Sequence, residues 1–180
     1  VSIVKVEFSR PVRVDQVPAS GMDLEVTARP AEREALARRF RLRSIESLGA
    51  TVRLKSIAGG ALVRVSGTVS ATVVQTCVVS LEPVPEEVRE TFSLSFSTAQ
   101  PDPVPGAEME LSFEDEDPPD PIVGGAIDVG EVVAEQLALA LDPFPRKPGI
   151  AFAATAEDQE VAEKRPSPFA VLSELRKNKG

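Results

Sequence analysis

Histidine, tryptophan and tyrosine are absent from this 180-residue chain, and cysteine occurs once. Without histidine there is no Ser-His-Asp or Cys-His nucleophile system and no His-containing zinc site. Without tryptophan and tyrosine most of the stacking surfaces that single-stranded nucleic acids prefer are missing. A lone Cys77 forms no disulfide within the chain and cannot build a structural zinc site by itself, so a secreted, cross-linked scaffold is not expected. Between Val1 and Arg10 no basic stretch precedes an apolar block, and no signal peptide is expected there. The longest uncharged run, Val65 to Leu81, carries Ser66, Thr68, Ser70, Thr72, Gln75, Thr76 and Ser80 largely at alternate positions. It falls slightly short of the ~20 apolar residues of a membrane span and reads as a strand. The expected setting is the cytoplasm, or an organelle descended from one, with no membrane partner.

What is present is balanced but unevenly charged. Apolar residues make up 42% and charged residues 27%, close to globular averages, and the length allows one large domain or a core with appendages. Residues 1–90 hold 13 Lys and Arg against 11 Asp and Glu, whereas residues 91–180 hold 7 against 17. Such asymmetry fits either a charged partner or an acidic segment that keeps the chain in solution.

Period-two alternation dominates the pattern. Val63, Val65, Val69, Ala71 and Val73 oppose Arg64, Ser66, Thr68, Ser70 and Thr72. Met22, Leu24 and Val26 alternate with Asp23, Glu25 and Thr27, and Val88, Phe92, Leu94 and Phe96 with Arg89, Thr91, Ser93 and Ser95. Met109, Leu111 and Phe113 repeat it. One buried and one wet face is the signature of antiparallel sheet. Gly59-Gly60 signals a two-residue hairpin loop. Helices are expected after Pro30, with Leu36 and Phe40 as its apolar seam, and from Asp128 to Leu141, with Asp128 and Glu131 forming a capping box before Pro143 and Pro145 stop the run. A short third helix is expected after Ser167, with Phe169, Leu172 and Leu175 on one side. The fold class is therefore α+β: a mainly antiparallel, curved β-sheet or partly closed barrel with two or three helices. Residues 1–145 form a single β-rich domain that includes the 128–141 helix and carries an inserted acidic loop at 99–121. Residues 146–180 form a tether and the short C-terminal helix.

Candidate chemistry is sparse. Glu131 and Glu135 share a helix face near a helix start, which favours negative charge without any catalytic role. The Glu114–Asp120 cluster lacks the glycine and spacing of a calcium loop, and Gly124-Gly125 lacks the lysine of a phosphate cradle. Cys77, with no cationic neighbour in sequence, is expected to be a small buried hydrophobe with an ordinary or raised pKa. The densest feature is basic: Arg29, Arg33, Arg38, Arg39, Arg41 and Arg43 fall within fifteen residues. Guanidinium groups bind phosphate in bidentate fashion, so this is a plausible nucleic-acid contact; solvated arginines on an amphipathic helix account for it equally well.

Three runs in order, Thr76–Val84 (TCVVSLEPV), Ile127–Pro143 (IDVGEVVAEQLALALDP) and Pro166–Leu172 (PSPFAVL), resemble the YceD family, the large ribosomal RNA subunit accumulation proteins of bacteria and plastids. The positions carrying the resemblance are Cys77, Leu81, Glu82, Pro83, Asp128, Glu131, Glu135, Pro143, Pro168, Phe169 and Leu172. Many relatives have a second cysteine where this chain has Ser80, so no metal or redox role of a Cys-x-x-Cys pair carries over. The resemblance implies a non-catalytic ribosome biogenesis factor, with no cofactor or metal, that promotes accumulation or processing of large-subunit (23S) ribosomal RNA. RNA binding is known among plastid members. The expected partner is that RNA or a pre-ribosomal particle, not DNA, with Arg33, Arg38, Arg39, Arg41 and Arg43 contacting phosphates. The alternative is an acidic adaptor or chaperone, in which the Glu108–Asp120 region attracts a basic ribosomal protein and the Phe169–Leu172–Leu175 helix docks in a partner groove.

Overall fold

The computed structural model describes residues 6–98 and 118–150. Two compact units divide the chain, Val1–Lys147 and Pro148–Gly180, and the architecture below is that of the first. Its elements are β1 (Pro11–Arg13), a 3-10 turn (Val14–Gln16), β2 (Met22–Thr27), α1 (Pro30–Phe40), β3 (Ser44–Ile57), a second 3-10 turn (Ala58–Gly60), β4 (Leu62–Thr76), β5 (Pro83–Ser97), β6 (Asp120–Pro121), β7 (Ala126–Asp128) and α2 (Val129–Ala140). The expected strand at Met109–Phe113, most of the acidic loop, and the third helix with Pro168, Phe169 and Leu172 lie outside the described residues.

A five-stranded sheet runs in the order β2-β3-β4-β5-β6, and a small two-stranded ribbon pairs β1 with β7. All pairs are antiparallel except β5 with the two-residue β6. The α+β class is as expected. The sheet is open, since β2 and β6 do not pair with each other, and closure into a barrel is not seen among the described residues.

Alternation does what the pattern predicted. Val63, Val65, Val69 and Val73 of β4 are wholly buried, flanked across the sheet by Val52 and Leu54 of β3 and by Val88 and Phe92 of β5. Both helices cover this apolar face. α1 contributes Leu36 and Ala37, with Phe40 partly buried, and α2 contributes Val129, Val132, Val133, Ala134 and Leu137. The β3–β4 connection is longer than expected. Ile57 pairs with Leu62, so the loop has four residues, 58–61, and Gly59 and Gly60 supply its two positive-φ positions (69° and 96°).

Asp128 caps α2 as predicted: its Oδ1 accepts the amides of Gly130 (3.0 Å) and Glu131 (3.4 Å). It also accepts the amide of Arg10 (2.6 Å) and the hydroxyl of Ser9, pinning the incoming segment across the helix start. Gly130 makes that crossing possible, because a Cβ there would lie 2.5 Å from the Phe8 carbonyl oxygen. Glu131 does not close the expected capping box. One of its oxygens instead binds Arg39 of α1, 2.7 Å away, tying the two helices together.

Candidate nucleic-acid interface

The α1–β3 corner sorts the arginines into different jobs. Arg33 turns inward: its Nε donates to the Ile45 carbonyl (3.2 Å) and its Nη1 to the Ala28 carbonyl (2.9 Å). Arg43, just past the helix, donates through Nε to the Thr76 hydroxyl (3.1 Å) and through Nη2 to the Leu81 carbonyl. None of these partners is a carboxylate. Arg39 differs: it sits between Glu131 (2.7 Å) and Glu7 (3.3 Å), and the hydrogen bond it donates to Glu131 is the main cause that raises its pKa. Arg38 is exposed, and Arg41, also exposed, ends α1 in the left-handed region (φ 57°). Neither guanidinium has a bonding partner among the described residues.

Arg33, Arg38 and Arg43 line one concavity of about 390 Å³, together with Glu34 and the Ser44 backbone corner. Of the five predicted phosphate ligands, the fold thus brings three together, leaves Arg41 beside them at the helix end, and neutralises Arg39. Sequence could not separate them, because all but one of the competing carbonyls and carboxylates come from residues twelve or more positions away. Glu32 shows the same point. It accepts both Arg10 nitrogens (2.9 and 3.0 Å) and the Arg29 amide (2.7 Å), and the Arg10 hydrogen bonds above all hold its carboxyl below the ordinary range.

Arg43 also reaches the β4–β5 turn, residues 77–82, where the Cys77, Leu81 and Glu82 positions meet. The Cys77 amide donates to the Glu82 carbonyl (2.8 Å) and the Leu81 amide to the Cys77 carbonyl (3.0 Å). Leu81 takes a positive φ of 61°. Cys77 is fully buried as expected, but its sulfur is not inert. The Ser80 side chain first, then the amides of Ser80 and Lys147 at 3.4 Å, stabilise the thiolate and lower its pKa to about 6, against the ordinary or raised value predicted. Neighbouring charge in sequence was the wrong guide, since hydrogen bonds from Ser80 within the turn, and then from Lys147 across the fold, set this thiol. The segment after α2 is stitched to the same turn. Val78 donates its amide to the Pro145 carbonyl (2.9 Å), and Lys147 pairs with Glu82 (2.9 Å). Pro143 lies three residues past the end of α2. Lys147 and Phe144, which the sequence reading passed over, sit here.

The remaining motif carboxylates face elsewhere. Glu131 and Glu135, with Asp128, line a cavity of about 430 Å³ whose other walls include Phe96, Ile122 and Val123. Burial first, then the charges of Glu131 and Asp120, push the Glu135 carboxyl up. The Glu131 Oε2 is buried without a partner. Among the described residues no group of three or more acidic or cysteine side chains could hold a metal ion, and no helix is long and apolar enough to cross a membrane.

The model of one family, described as large ribosomal RNA subunit accumulation protein YceD, matches residues 65–176. The chain belongs to the YceD family. The matched region takes in most of β4, the Cys77 turn, β5, α2 and the Phe144–Lys147 segment, and leaves α1 and its arginines on the N-terminal side. The YceD description links the chain to accumulation of large-subunit ribosomal RNA. No curated protein and no solved structure was found to match it.

Proposed function

We propose that this YceD protein promotes accumulation of large-subunit ribosomal RNA without catalysing a reaction, by binding RNA through the α1–β3 corner. The observation that carries this reading is the grouping of Arg33, Arg38 and Arg43 around one concavity, the first and last held by uncharged partners, with Arg41 adjacent. A chain of net charge −8 repels a polyanion at long range, so contact requires a local surface of this kind. Arg33 and Arg43 are preorganised by the backbone they bond, while Arg38 and Arg41 are free to close on phosphate oxygens.

Arg38 and Arg41 can be changed without touching the fold, so the test uses the Arg38→Gln, Arg41→Gln double variant. Its affinity for large-subunit RNA should fall, and the log–log salt slope should shrink by about 1.4, the loss of two single-strand phosphate contacts. An unchanged affinity and slope would reject the assignment.

A second reading is favoured by the Glu131–Glu135 cavity. Apolar walls, a carboxyl pushed up by burial, and an unpartnered buried oxygen suit the stem and cation of a lysine or arginine from a basic protein. Capture of a basic ribosomal protein that survives RNase treatment and is lost in Glu135→Gln supports this adaptor role instead.

A further inference from the structure

We propose that the RNA bound at this corner is unpaired and that Phe144 stacks on one of its bases. This rests on the RNA-binding reading above and specifies its substrate class. Among the described residues Phe144 is the only phenylalanine that is exposed, at 68%. It is nonetheless fixed in place. Its amide donates to the Asp142 side chain (2.9 Å), prolines flank it on both sides, and the Pro145 carbonyl and Lys147 amide are bonded to Val78 and Cys77 of the β4–β5 turn. A ring held this way loses little freedom on binding.

The turn to which its segment is bonded presents apolar side chains outward. Val78 and Leu81 are exposed at 48% and 68%. Leu81 is in a backbone region that leucine seldom occupies, and is kept there by Cys77 and Arg43. Packing does not explain an apolar side chain presented outward at that conformational cost. Arg146 follows Phe144, Lys147 is held by Glu82, and Arg43 joins this turn to the Arg33–Arg38 concavity, which connects the surface to the proposed phosphate contacts. A phenyl ring and aliphatic groups beside guanidiniums complement an anion with flat apolar faces, which is an unpaired nucleotide. A duplex hides those faces in its stack.

The test uses the full chain with a labelled single-stranded RNA and the same sequence annealed as a duplex. Single strand should bind more tightly. Phe144→Ala should weaken it about ten-fold while leaving the salt slope and duplex binding unchanged. Phe144→Trp should keep the affinity, and its indole, unique in a chain without tryptophan, should be quenched by the single strand and not by the duplex. Equal binding of duplex, an unaltered affinity in Phe144→Ala, or an unquenched indole overturns the inference. If the Arg38 and Arg41 changes still weaken binding in that case, the RNA reading stands and only the stacking fails; if the wild-type chain binds neither RNA, both fall. RNase-resistant capture of a protein that Phe144→Ala abolishes would assign the surface to a protein partner and overturn the inference as well.

Discussion

Replacing Asp128 by alanine removes one carboxylate that does two jobs. At the start of α2 it satisfies the Gly130 and Glu131 amides, a cap whose loss costs about 1 kcal/mol. It also holds the part-buried Arg10 amide at 2.6 Å; leaving that donor unpaired adds about 1–2 kcal/mol. The Ser9 hydroxyl is exposed and re-solvates at little cost. The expected loss is therefore about 2–3 kcal/mol, a large share of the ~5–15 kcal/mol typical of a folded domain. Asp128→Asn keeps an oxygen acceptor for the amides and should cost about 1 kcal/mol or less. Urea denaturation followed by circular dichroism measures both, with unchanged m-values as the check that the unfolded state is the same. Hydrogen exchange at the Arg10 amide should accelerate in the alanine variant. An alanine variant within about 0.5 kcal/mol of wild type, or an asparagine variant equally damaged, would refute the two-job account.

Three further changes probe the same architecture. Gly130→Ala adds a better helix former by about 1 kcal/mol, yet should destabilise, because the new Cβ meets the Phe8 and Arg10 backbone; a raised melting temperature would contradict the close crossing. Glu32→Gln should cost about 2 kcal/mol at neutral pH by weakening the hold on Arg10. Since the folded Glu32 carboxyl titrates below its ordinary 4.5, the wild-type advantage is full above that pH and fades as acid protonates the folded form; a pH-independent difference would count against the pairing. Cys77 is likewise depressed, to about 6 from 9.0, so the stability of wild type over Cys77→Ala should grow as pH rises from 6 to 9, and a flat difference in denaturation midpoints would show that the thiolate is not stabilised.

Much of the sheet was legible because its strands are long and one-sided. The β4 valines at 63, 65, 69 and 73 are all on the core face that their spacing predicted. β3 was visible only as the strand that must enter the Gly59-Gly60 loop. A bulge leaves Glu46 unpaired, which moves the buried set from the odd position Ile45 to the even positions Leu48, Ala50, Val52 and Leu54. A period-two reading breaks across that extra residue. The β1–β7 ribbon has three residues per strand and joins segments more than a hundred residues apart, so no local pattern announces it. The two described helices were legible from Pro30, the Asp128 cap and their apolar seams, but the Glu131 carboxylate was assigned to the wrong partner because Arg39 becomes its neighbour only after α1 and α2 pack.

The same division runs through the site. That an arginine-rich stretch existed was plain in the sequence; which guanidiniums are spent on Glu7, Glu131 and backbone carbonyls was decided by tertiary contacts. Phe144 was hidden for the opposite reason: a single aromatic between two prolines carries no periodic signal, and only the Val78–Pro145 and Cys77–Lys147 hydrogen bonds show that it is held beside the basic corner.

Ultraviolet crosslinking of the protein to RNA in cells, followed by mass spectrometry of the nucleotide-bearing peptides, reaches the central claim most directly. The account predicts adducts on the 29–43 peptide and on the 142–147 segment, joined to large-subunit ribosomal RNA. Adducts confined to other parts of the molecule, or none at all, would contradict it.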